Sequence, residues 1–212
     1  MRAASARVSA SSVIVPGMRL RVTRYVVALL ALMSAVPAFA HTGSVSGGFL
    51  GGLAHPVFGL DHVIAMVAVG LWGAALGVPA IFLLPVTFPL VMAVGGVLGI
   101  LGVPLPDTEI GIALSAIMLG LMVAIEARPP IWVALVVVGA FAIFHGHAHG
   151  TELPTGANAV AYSLGFVIAT GLLHLAGIAF GLLARWPTGK IAVRTMGALI
   201  ACIGVLFLSR LV

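Results

Sequence analysis

The sequence predicts an all-α polytopic membrane bundle with about six transmembrane segments. Hydrophobic residues fill 62% of the 212 positions and charged residues only 7%. A soluble domain carries about 25% charged residues, so this chain has too few to cover a water-facing surface. Six apolar stretches near or above the ~20 residues of one helical crossing follow the first 40 positions. Turn signals separate them: "GVP", "GVPLPD", "EARPP", "GTELPTG" and "RWPTGK". A β-barrel would need shorter runs with alternating polar positions, and none is present.

The formal charge of +5 is concentrated at the start. Arg2, Arg7, Arg19, Arg21 and Arg24 precede the apolar run "YVVALLALMSAVPAFA", which ends in Ala38-Phe39-Ala40. A basic region, an apolar region and a small-x-small site together predict a cleaved signal peptide over 1–40. A retained first helix acting as an anchor is the alternative. Met18 offers a second start, since "MRLRVTRYVV" makes a tidier signal. Cleavage leaves a single transmembrane domain over 41–212, beginning at His41. Its basic residues Arg128, Arg185, Lys190, Arg194 and Arg210 balance Asp61, Asp107, Glu109, Glu126 and Glu152. Nucleic-acid binding thereby loses its support. Cys202 is the only cysteine, which excludes an internal disulfide and a thiolate-rich metal site.

The first segment, 45–76, is too long for one straight span and is interrupted by Pro56 and Gly59. It is expected to be broken near Pro56, with a short Gly-rich entrance and a main arm after Leu60. The other segments are expected at 79–102, 108–126, 130–148, 157–184 and 191–211. With the signal removed, six spans place both termini outside. Arg128, Arg185, Lys190 and Arg194 then fall on the inner side, as the positive-inside rule prefers. Asp107, Glu109 and Glu152 fall on the outer side. There Glu152 is placed to attract cations, and Asp107 and Glu109 read as a loop cap.

Histidines cluster within the apolar segments. His55, Asp61 and His62 lie in "HPVFGLDHVIAM". His145, His147 and His149 end the fourth segment in "FHGHAHG", and His174 lies inside the fifth. Ionisable groups in lipid are costly and normally face a bundle interior or a water path. His145 and His149, four apart, share a helix face, while His147 is rotated away. His62 and Met66 share another. Asp61 is placed to orient a neighbouring imidazole, as outer partners do at metal sites. A break near Pro56 frees backbone carbonyls at depth, a device of ion-binding broken helices. Imidazole suits nickel, cobalt, copper and zinc, and the scarcity of acids argues against calcium or magnesium. The candidate metal residues are His55, Asp61, His62, His145, His149, His174 and His41. A free amine at His41 would add a chelating group at the mouth. His55, Asp61 and His62 read as the main site, His145 and His149 as a recruiting station, and His174 as a lower relay.

The stretches "GGLAHPVFGLDHVIAMVAVGLWGA", "LPDTEIGIALS", "FHGHAHGTELP" and "GFVIATGLLHLAG" resemble the HupE/UreJ family of membrane proteins. The specific pattern His-Pro-x-x-Gly-x-Asp-His stands here as His55, Pro56, Gly59, Asp61 and His62. The family often has an aromatic residue where this chain has His147. The resemblance implies a nickel or cobalt permease of the bacterial inner membrane, with a link to hydrogenase or urease maturation. The expected partners are a divalent ion and the lipid bilayer; no prosthetic group is expected. A metal-sensing or accessory protein that binds without transport is one alternative. An intramembrane metallohydrolase is another, but no "HExxH" pattern supports it.

Overall fold

The computed structural model describes residues 48–153 and 158–212. The predicted signal peptide over 1–40 and His41 lie outside the described residues. Seven α-helices are present among the described residues: α1 (Phe49–Phe58), α2 (Leu60–Leu76), α3 (Ala80–Ile100), α4 (Thr108–Ala124), α5 (Ile131–Thr151), α6 (Ala159–Gly181) and α7 (Pro187–Leu208). A 3₁₀ turn, Leu182–Arg185, joins the last two. In hydrocarbon every backbone N–H and C=O must be satisfied within the chain, and apolar runs of this length do so as helices.

Four helices are long and apolar enough to cross a membrane: α3, α5, α6 with its 3₁₀ turn, and α7. Taken as one broken span, the bent pair α1 and α2 brings the number to five. The remaining apolar helix, α4, has only 17 residues. The apolar surface faces outward as well as inward: just 22% of the α3 window is buried within the chain. Phe82, Leu90, Val94 and Val97 on that helix are exposed, as expected for a lipid-facing side.

The first segment breaks near Pro56 as expected, at Gly59, and its main arm starts at Leu60. The bend between α1 and α2 is 81°, while Pro56 sits inside α1. Gly59 is extended, with ψ 102°, and serves as the C-cap of one helix and the N-cap of the next. Its N–H returns to the His55 carbonyl at 3.2 Å. Two boundaries move. Helix α5 runs on to Thr151, so "FHGHAHG" lies wholly inside it, and α7 begins at Pro187, which needs no intrahelical N–H there. Asp107 holds the N-cap position of α4, but its side chain makes no capping bond.

Helices α3 and α4 end in the same hydrogen-bonded cap. In α3, Val103 N–H reaches Leu98 O and Gly102 N–H reaches Gly99 O, both at 3.0 Å. In α4, Ala127 N–H reaches Met122 O at 2.9 Å and Glu126 N–H reaches Val123 O at 3.2 Å. Glycine fills the left-handed position of the first cap (Gly102, φ 69°), and Glu126 (φ 55°) fills that of the second.

The main helix contacts are α3 with α5, α4 with α7, and α6 with both α1 and α2. Glycines set each one by letting backbones touch. A Cβ on Gly146 or Gly150 of α5 would overlap the Met92 or Gly96 carbonyl of α3. In return, a Cβ on Gly95 or Gly99 would overlap carbonyls of α5. Gly70 and Gly177 do the same between α2 and α6, and Gly52 and Gly165 between α1 and α6. The loops after α2, α4 and α6 meet at one end, where Val78, Arg128 and Arg185 line one cavity.

Gly146→Leu should therefore separate α3 from α5. Overpacking of this kind costs about 1–3 kcal/mol, read as a lower melting temperature of the detergent-purified protein. Gly171→Leu, at a position with no atom within 4 Å of its Cβ, should leave that temperature unchanged. Equal stability of the two variants would remove the close-packing role.

Candidate metal centre

The bend at Gly59 brings the histidines on its two sides, His55 and His62, against the end of α5. His55, from the last turn of α1, lies with its ring centroid 4.9 Å from that of His149. His62, from the first turn of α2, lies 4.3 Å from His149 and 5.0 Å from His145. One turn of α5 separates His145 and His149, so both face the same point. The sequence reading separated a main site from a recruiting station. The structure merges them, because the 81° bend folds α1 back toward the end of α5.

The nitrogens in this cluster have few protein partners. His62 Nδ1 lies 2.9 Å from Asp61 Oδ1. At that distance the Asp61 carboxylate is the close charged neighbour of the ring. Its Nε2, and both nitrogens of His149, are buried without a hydrogen-bond partner among the described residues.

His145 is fully buried, and its tautomer follows from its neighbour. Ser115 Oγ donates its one hydrogen to the Ile112 carbonyl at 2.6 Å. Toward His145 Nε2, at 2.9 Å, that oxygen can only accept. With the Ser115 hydrogen on the Ile112 carbonyl, Nε2 is the nitrogen that carries the proton and Nδ1 the bare lone pair. No hydrogen-bond partner meets that Nδ1 among the described residues.

Carboxylates stand on two sides. Asp61 is beside His62. Glu152, three residues past His149, completes a group with His55 and His149 whose ligand atoms all lie within 4.8 Å of one another. The Phe166 ring stands edge-on to His149, with centroids 4.3 Å apart, and closes one wall. A cavity of about 210 Å³ bounded by Met92, Gly96, Tyr162 and Phe166 reaches His149, so the cluster is not sealed. Bare imidazole nitrogens and carboxylate oxygens at this spacing form a donor set for a divalent transition metal.

Two further histidines lie outside the cluster. His174 is buried but outside the cluster; the Phe88 ring is 5.5 Å from it and 5.5 Å from His145. His147 fastens α5 to the loop between α3 and α4, with Nε2 2.8 Å from the Val103 carbonyl. Sequence reasoning did not place Glu152, Ser115 or Phe88 in the site. For Glu152 a signal existed, its i, i+3 spacing from His149. Ser115 and Phe88 carry no such mark, since their helices meet the histidines only in the folded bundle.

The sequence model of the family described as HupE / UreJ protein matches residues 28–207. The chain belongs to the HupE/UreJ family. The relative named Protein HupE from Rhizobium leguminosarum bv. viciae is 50% identical over 167 residues, covering 79% of this chain and 87% of that protein. No solved structure matches it. The family match spans every described helix up to Phe207, and so contains the whole histidine cluster.

Replacing Ser115 with Ala should release the His145 tautomer. Nitrogen-15 spectra of histidine-labelled protein should give His145 protonated at Nε2 alone in the native chain and a mixture in Ser115→Ala. Identical spectra would mean that another group sets the proton.

Proposed function

We propose that this chain takes up divalent nickel or cobalt across the bacterial inner membrane and is not an enzyme. The observation that carries this reading is the set of buried imidazole nitrogens in His62, His145 and His149 without hydrogen-bond partners, flanked by Asp61 and Glu152. Leaving a buried polar atom unsatisfied costs about 1–3 kcal/mol, and a bound dication would offset that cost for several at once. Family membership supports the same reading.

In the proposed arrangement the signal peptide is removed, six segments cross the membrane, and both termini are periplasmic. The basic end of the bundle then faces the cytoplasm, and the histidine cluster lies toward the periplasm. A hydrated ion exchanges water for imidazole at His55, His62, His145 and His149. Asp61 and Glu152 lower the cost of bringing a dication into a low-dielectric site. Phe88 stands between this station and His174, which acts as the next ligand inward. A negative-inside potential supplies about 2.3 kcal/mol per charge at 100 mV, twice that for a dication. The sequence lacks a phosphate-binding loop of the G-x-x-x-x-G-K-[ST] type, so this gradient is the drive. Delivery of nickel to hydrogenase or urease maturation is the proposed physiological use.

Radiolabelled nickel flux into proteoliposomes with a negative-inside potential tests the proposal. Native protein should pass nickel, with cobalt as competitor, and His62→Ala at matched protein level should not. Flux of native size in His62→Ala would remove that residue from the path. Absence of flux in well-folded native protein would favour a protein that binds the ion without passing it. Asp61→Asn should raise the half-saturating concentration more than it lowers protein abundance. Ser115→Ala should weaken ion binding about tenfold, the usual scale for losing a group that orients a metal-binding histidine.

A further inference from the structure

At the basic end of the bundle a second cavity, of about 300 Å³, opens between the α2–α3 corner, the end of α4, the 3₁₀ turn and the start of α7. Val78, Ile81 and Val193 form part of its apolar wall, and Arg128, Arg185, Lys190, Arg194 and Glu126 its charged lining. Glu126 engages two of the four cations. Lys190 Nζ lies 2.8 Å from one carboxylate oxygen and an Arg194 guanidinium nitrogen 3.6 Å from the other. Arg194 Nε also donates to the Ala124 carbonyl at 2.9 Å. Lys190 holds the Glu126 carboxyl below its ordinary pKa, so it is ionised at neutral pH. Arg128 and Arg185 line the same cavity with no ion pair among the described residues. Four cations against one carboxylate leave three uncompensated positive charges around one apolar-walled cup.

Two further features bear on what fills it. Glu126 holds the left-handed position of its helix cap, where glycine fits without the strain of a side chain. A strained residue kept in such a place points to a task for its side chain, here aiming a carboxylate at Lys190 and Arg194. Trp132 and Trp186, at the starts of α5 and α7, are both well exposed at this same end. Exposed tryptophans of a membrane bundle mark the headgroup level. The cup therefore opens at the depth of lipid phosphates.

We propose that this cup binds the phosphate of an anionic phospholipid headgroup. Planar guanidinium groups such as those of Arg128 and Arg185 match phosphate oxygens in pairs. The apolar wall accommodates the glycerol and upper acyl chain, which a free phosphate ion would leave uncovered. Basic pockets between helices at the headgroup level recognise anionic lipids by this same chemistry. Glu126 tunes the affinity by holding two of the four cations away from the lipid.

The test is lipid retention by purified protein in mixed phosphatidylglycerol and phosphatidylcholine, read by native mass spectrometry. The native chain should retain phosphatidylglycerol preferentially. Arg128→Gln and Arg185→Gln should each reduce that preference about fivefold, and Glu126→Gln should increase it. Arg210→Gln, at the opposite end of α7, should leave it unchanged. An unaltered preference in the two arginine variants, or a fall in Glu126→Gln, would overturn the proposal. Displacement of the lipid by millimolar inorganic phosphate would assign the cup to the free ion and overturn it equally.

Discussion

Burying an imidazole nitrogen away from water and without a hydrogen-bond partner costs about 1–3 kcal/mol. Around His62, His145 and His149 the chain does this repeatedly at one point. The rings cannot drift apart to find other partners, because their helices are locked by backbone contact. Gly146 and Gly150 flank the α5 histidines and press against α3. Gly70 presses α2, which carries His62, against α6. The fold thus spends side-chain volume on close approach and holds unsatisfied donors and acceptors together in a low-dielectric interior. Such groups interact strongly with whatever charge enters.

The bend at Gly59 makes the convergence possible. A straight helix would place His55 and His62 about two turns apart along one axis. With an 81° turn between them, both rings meet His149 from different directions. Polar partners then sharpen individual rings. Ser115 fixes which nitrogen of His145 is bare, and His147 is drawn away to the Val103 carbonyl. Two residues apart on one helix, His145 and His147 serve different ends: one faces the site and the other holds a loop.

Much of this was legible in the sequence. Long apolar runs gave the helices, and the spacing of His145 and His149 gave their common face. Asp61 beside His62 and the rotation of His147 were also readable. Local spacing could not report contacts between helices. Pro56 and Gly59 both marked the interruption, and the main arm starts at Leu60 as expected, but which of the two carries the bend was not readable: Pro56 stays inside α1 and the extended residue is Gly59. The union of the two histidine groups depends on that bend. Ser115 and Phe88 reach the site only because α4 and α3 pack where they do, and nothing about a serine or a phenylalanine in an apolar run announces it.

The central claim is that the clustered imidazoles bind the ion directly, and X-ray absorption at the nickel edge of the loaded, purified protein tests it most directly. The account predicts a shell of nitrogen and oxygen ligands with the multiple-scattering signature of imidazole, which weakens in His62→Ala and again in His149→Ala. A spectrum of hydrated nickel without imidazole scattering, or one unchanged by both substitutions, would contradict it.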